Sequence, residues 1–302
     1  MLRRIREAHV GQRQSVVSVC RLQVRSKMHI CRKIAGVSPG DLFVNPPLSR
    51  REIAVVAAFA VLLLVALFAP SVAQPGEYHD FADQRRWLGV PNMLNVLSNI
   101  PFAIGGVWGL WVLLRTPPQA LAQAERGMAA LFFAGLVLTS LCSGWYHWFP
   151  NNDGLALDRL GMAVTFAGLL GLAAADRLGA RAGWAVGVAV LVLGPLSVAV
   201  WAVSGNVLPW ALVQFGGMLL VVGLLFCQPV PGAMGVPIGL VIALYALSKL
   251  CEHFDPQVYA LTAGVVSGHS LKHLVASLAA WPVVVALHRV RAAMPHASPS
   301  TS

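Results

Sequence analysis

Long apolar runs separated by short polar breaks dominate this chain. Windows of roughly 17 to 25 mostly apolar residues, the length a helix needs to cross ~30 Å of hydrocarbon, fall at 52–69, 95–114, 127–146, 155–175, 183–203, 207–227, 234–251 and 264–287. The pattern predicts a membrane-crossing helix in each. The breaks carry turn residues: Thr116-Pro117-Pro118, Asn151-Asn152-Asp153-Gly154 and Gln228-Pro229-Val230-Pro231-Gly232. Connections this short join antiparallel neighbours, so they predict one compact all-α bundle in place of two domains. Glycines recur within the spans (Gly105, Gly106, Gly109; Gly161, Gly168, Gly171; Gly216, Gly217), which suits close helix packing in lipid.

Composition agrees with a membrane protein. Of 302 residues, 57% are hydrophobic and 11% charged, and the mean hydropathy of +0.69 is too high for an ordinary soluble domain of this size. Charge then orients the bundle. Of the 22 Lys and Arg, 11 lie within residues 1–51, against only Glu7 and Asp41. The positive-inside rule keeps this leader in the cytoplasm. Threading the spans from there brings Arg115, Arg126, Arg177, Arg181, Arg289 and Arg291 to the same side, while Arg85 and Arg86 fall opposite, beside Glu77, Asp80 and Asp83. The leader has no interleaved aromatics or fold signature of a nucleic-acid binder, so no nucleic-acid partner is expected. The run at 52–73 ends in Ser71-Val72-Ala73 and reads as an uncleaved anchor or as a long signal sequence; either delivers residue 74 to the outside. The five cysteines show no paired spacing, which predicts neither a disulfide framework nor a thiolate metal site. The tail at 292–302, rich in Ala, Ser and Pro, is expected to be disordered.

Ionisable groups inside a bilayer are costly and mark function. With the threading above, His147 ends one span at the outer side, Asp158 begins the next, and His269 and His273 lie one and two turns into the last. All fall at one depth, in the outer half. His269 and His273 are four residues apart and share a helical face. Such a pair supplies two ligands of a zinc site, and a third from another helix leaves a position open for water, as catalytic zinc requires. His147 is the natural third ligand. Ser143, one turn before it, shares its face, and Asp158 follows 11 residues later across a short loop. The plainer readings are histidines that hydrogen-bond between helices, as for His253 and His288, and an Asp158 that only pairs with its neighbour Arg159. Lys272, between the two histidines, is expected to turn away from them and pair with an acid such as Glu252.

These residues carry a resemblance. Ser-x3-His, an Asp 11 residues on, and His-x3-His in the last span resemble the alkaline ceramidase family, bacterial ceramidase-like branch, within a superfamily shared with the progestin and adipoQ receptors. The likeness extends over 78–288 and includes YHDFADQR, NVLSN, SGWYHW, LDRL and SGHSLKH. It implies a seven-helix domain at 74–291 that holds one zinc on His147, His269 and His273, with Ser143 and Asp158 as catalytic partners. The implied activity is zinc-dependent hydrolysis of the amide of a membrane lipid, a ceramide or related N-acyl lipid, to a fatty acid and a free amine. A zinc-containing receptor or sensor without turnover is the alternative that the receptor relatives suggest. Eukaryotic members resemble one another in a calcium site before the first core helix. Here Asp80, Asp83 and Asn92 match it as oxygen ligands, but Arg85 stands where an acceptor belongs, so a calcium-free loop held by Asp–Arg pairs is set beside that reading. Orientation and branch together point to a bacterial inner membrane.

Overall fold

The structure, a computed structural model, describes residues 47–294. The basic leader, apart from its last few residues, and the tail beyond 294 lie outside the described residues.

The described chain is helical, without extended strands among its residues. In chain order the helices are α1 (Arg50–Phe68), α2 (Met93–Leu97), α3 (Ile100–Leu114), α4 (Gln123–Trp148), α5 (Asn152–Leu178), α6 (Ala180–Ser204), α7 (Leu208–Leu225), α8 (Ile238–His253), α9 (Asp255–Leu261), α10 (Gly268–Ser277) and α11 (Ala280–Ala292). Seven segments are long and apolar enough to cross a membrane: α1, α2 with α3, α4, α5, α6, α7, and α10 with α11. The window at 234–251 forms α8, whose 16 residues reach only ~24 Å at 1.5 Å per residue. Pro229, Pro231 and Pro237 hold the preceding stretch out of helix, because proline lacks an N–H and fixes φ.

Two predicted spans are broken once each. Pro101 and Pro282 would clash with the carbonyls four residues earlier, at Leu97 and Leu278; α2 ends at Leu97 and α10 is capped by Leu278. Both breaks fall in spans that line the histidine site described below.

Packing closes a ring. Helices α3 to α8 each touch the next, α8 packs on α10, and α11 returns to α3, while α1 packs outside on α7. This is a seven-membered core with one additional N-terminal helix. The α4–α5 contact is the most extensive, and glycine permits it. A Cβ on Gly168 would lie 2.2 Å from the Phe132 nitrogen, and one on Gly135 would lie 2.6 Å from the Thr165 nitrogen. No side chain fits at either position, so the two backbones touch.

The ends of the bundle differ. Arg51, Arg115, Arg126, Arg177, Arg181, Arg289 and Arg291 all fall at helix termini on one end. There Arg126 donates to the carbonyls of Leu113, Thr116 and Pro117, bracing the turn that follows α3. The opposite end is crossed by residues 69–92. This segment is tied down by Val207 N to Val72 O (2.8 Å), His79 Nδ1 to Tyr146 Oη (2.9 Å), Ala82 N to Asp255 Oδ2 (2.9 Å) and Arg85 to the Val265 carbonyl (2.8 Å).

Candidate metal centre

The site lies just beneath the crossing segment, in the last turn of α4 and the first two turns of α10. Helix α10 begins at Ser267, whose hydroxyl accepts from the Ser270 N–H (3.0 Å), a standard N-cap. Gly268 lets that start press against α8 and α9, since a Cβ there would sit 2.2 Å from the Cys251 carbonyl oxygen. Asp255 then fixes the register: Oδ1 accepts from His269 N (2.7 Å) and Oδ2 from Ala82 N. The i, i+4 spacing turns His269 and His273 to one face, as anticipated, and α4 delivers His147 opposite them.

One ring nitrogen from each of His147, His269 and His273 lies within 4.8 Å of the others, and all three residues are buried. No other such cluster of His, Cys, Asp or Glu occurs among the described residues. Hydrogen bonds fix which nitrogens face inward. His147 Nδ1 lies 2.6 Å from the Ser143 carbonyl. A carbonyl can only accept, so Nδ1 carries the proton and Nε2 keeps its lone pair. Ser98 Oγ donates to the Asn95 carbonyl (3.0 Å) and therefore accepts from His273 Nδ1 (2.8 Å), leaving His273 Nε2 bare as well. His147 Nε2 and His269 Nε2 face each other at 2.7 Å. Without an ion, only a proton between them makes that contact tolerable.

Three imidazoles, two of them with their outer nitrogens tied back, form the donor set that suits zinc. Tetrahedral zinc with nitrogens at about 2.0–2.1 Å spaces them roughly 3.3 Å apart, so the His147–His269 pair need open by only about 0.6 Å. The residues present fit the ion.

Asp158 reaches the same place from α5. It is buried, and its Oδ1 has no hydrogen-bond partner. Ser143 lies between, its hydroxyl approaching the Asp158 carboxylate and 3.4 Å from His147 Nδ1. The plainer reading of Asp158 as the partner of Arg159 does not hold: among the described residues no ion pair joins them. Neighbouring helical residues point ~100° apart, and Arg159 faces α6 and α7, where its guanidinium lies over Trp201 at 4.1 Å. Lys272 turns away from the histidines to pair with Glu252, which also binds Lys249.

Compared with models of known families and with curated proteins, the chain matches none.

Two of the three residues matched to a calcium site are otherwise engaged. Asp83 gives both oxygens to Arg85, at 2.7 Å each, and Asn92 donates to the His147 carbonyl (3.0 Å); Asp80 is exposed. Burial pushes the Asp83 carboxyl up, but the hydrogen bonds and charge of Arg85 outweigh it and hold its pKa below the ordinary value. The loop takes the Asp–Arg form.

Sequence reasoning assigned no role to several supporting residues. Asn95, Ser98 and Asn99 sit at i, i+3 and i+4 in an apolar span, a polar stripe that marks a buried network. Asn95 Oδ1 accepts from Ser270 Oγ (2.7 Å) and its Nδ2 donates to the Asp83 carbonyl (3.1 Å), tying α2 to α10 and to the crossing segment. Phe81 packs at a tilt against His269 and His147, at 4.5 and 5.0 Å between ring centroids, and seals the site from that end. Groups that orient metal-binding histidines are typically worth about 10–100-fold in affinity. Ser98→Ala is accordingly expected to weaken zinc binding about 10–100-fold, read by chelator competition, while the thermal unfolding of the metal-free protein shifts little.

Proposed function

We propose that the protein is a zinc-dependent amide hydrolase acting on an N-acyl membrane lipid, the reaction that the alkaline ceramidase resemblance anticipates. The observation that carries this reading is the convergence of three oriented imidazoles, from two helices, beside a buried carboxylate with an unpartnered oxygen. A zinc ion held there would supply Lewis acidity and lower the pKa of water towards 7. In this reading Asp158 takes the proton of the attacking water and returns it to the leaving amine. The Ser143 hydroxyl donates to the oxygen that gains charge as the acyl carbon becomes tetrahedral. The water oxygen joins the acyl carbon, the C–N bond breaks, and the products are a fatty acid and an amine. Phe81 and the crossing segment keep bulk water out.

The basic end is assigned to the cytoplasm by the positive-inside rule, which sets the site in the outer half of a bacterial inner membrane, within lateral reach of an outer-leaflet lipid. The test is fatty-acid release by purified protein from a panel of N-acyl lipids, with zinc measured on the same sample. One zinc per chain and release that stops on chelation and returns with zinc are expected. Stoichiometric zinc with no release from any lipid would replace the hydrolase by a zinc-holding receptor.

A further inference from the structure

Arg159 is 2% exposed, yet its charge meets no carboxylate among the described ion pairs. Nη2 donates to Gln74 Oε1 at 2.6 Å, while Nε and Nη1 are buried without a hydrogen-bond partner. The guanidinium is boxed by aromatic rings, with Trp201, Tyr78 and Trp210 at 4.1, 5.5 and 5.8 Å from its carbon. Their faces recover part of the cost of burying the charge, and the Tyr78 hydroxyl lies near the guanidinium, but no carboxylate pairs with it, and a buried cation is stable only when paired.

The surroundings add to the imbalance. Glu252, Lys272 and Arg159 each lie within electrostatic reach of Asp158, and Lys249 shares Glu252 with Lys272. Three cations thus face two carboxylates before any metal is added. Both polar neighbours of Arg159, Gln74 and Tyr78, come from the segment that crosses the mouth of the bundle, and Tyr78 is part-exposed. A headgroup entering from that end meets the guanidinium by displacing a neutral amide oxygen. An oxyanion there would be the stronger acceptor, since Arg binds carboxylate and phosphate through charge-assisted bonds.

Resting on the hydrolase reading, we propose that Arg159 selects N-acyl lipids whose amine portion carries an oxyanion, a carboxylate or a phosphate, over neutral amides of the ceramide kind. The test gives zinc-loaded full-length protein three lipids that share an N-oleoyl amide: N-oleoylglycine, N-oleoyl-phosphatidylethanolamine and N-oleoylethanolamine. One anionic lipid is expected to exceed the neutral one in kcat/KM by about tenfold or more, and which of the two does so identifies the oxyanion. Arg159→Gln should bring that ratio close to one and Arg159→Lys should restore part of it, with zinc content measured on each variant to expose misfolding. Equal or faster turnover of the neutral lipid by the wild-type protein overturns the proposal, and so does a ratio that survives in Arg159→Gln. Binding is measured separately on Asp158→Asn protein, in which turnover is slowed by about 10²–10⁴. A tenfold preference for N-oleoylglycine over N-oleoylethanolamine, erased by adding Arg159→Gln, supports the headgroup assignment even if the wild type hydrolyses neither, whereas equal binding overturns it.

Discussion

Replacing any one of His147, His269 or His273 by alanine is expected to take bound zinc from one per chain to near none and to cut fatty-acid release by at least ~10³-fold. Each supplies one donor to a cluster whose three donor atoms lie within 4.8 Å of one another, and two ligands do not hold zinc in a site that needs three. The loss in rate follows from losing the ion's stabilisation of developing charge, several kcal/mol, of which about 4 kcal/mol already corresponds to about 10³. The three variants should fail alike, because they act as a unit whose effects do not add. A different pattern would expose the plainer reading. If the His147–His269 contact at 2.7 Å were only a hydrogen bond between helices, His273→Ala would leave it intact and change neither metal content nor turnover. Elemental analysis beside a release assay on the three variants distinguishes the two cases.

The spans were legible in the sequence because lipid imposes one rule on every residue it touches: the backbone must be satisfied within the helix and the side chain must be apolar. That rule sets length and composition, so windows such as 127–146 and 155–175 fall inside α4 and α5. It does not set where a helix breaks. The interruptions after Leu97 and Leu278 follow from Pro101 and Pro282 and from neighbours that re-satisfy the freed groups, and hydropathy averages over both. The ring order is also absent from any window, since it depends on which faces carry glycine, as Gly135 and Gly168 do between α4 and α5.

The site divides in the same way. Histidine in an apolar span is rare enough to be seen singly, and the four-residue spacing of His269 and His273 fixes a common face without knowledge of the fold. The groups that orient them are ordinary residues. Ser98 and Asn95 look like any short polar side chain that bonds back to its own helix; only the arrival of α10 against α2 turns that bond into a tautomer lock on His273. Phe81 is one of 12 phenylalanines, and nothing before the fold distinguishes it as the one packed against two of the histidines. The sequence pairs Arg159 with its neighbour Asp158, whereas its contacts are with Gln74, Tyr78, Trp201 and Trp210, residues 42 to 85 positions away. Local spacing reveals ligands; long-range packing decides what their neighbours do.

Asp158→Asn separates chemistry from architecture at this site. The substitution keeps shape and volume, keeps one oxygen towards Ser143, and removes the capacity to accept a proton at neutral pH. Asp158 makes no ion pair among the described residues and leaves Oδ1 unpartnered, so no structural bond is lost with the charge. Zinc content and thermal stability are therefore expected to stay close to wild type. kcat should fall by about 10²–10⁴, the usual contribution of a positioned general base, with little change in KM, because in the proposed reaction the carboxylate acts on the attacking water and not on the bound lipid. The contrast with the histidine variants is what makes the result informative: they lose metal and rate together, whereas this variant loses rate alone. Loss of zinc in Asp158→Asn would place the carboxylate among the ligands, and an undiminished kcat would remove it from the reaction.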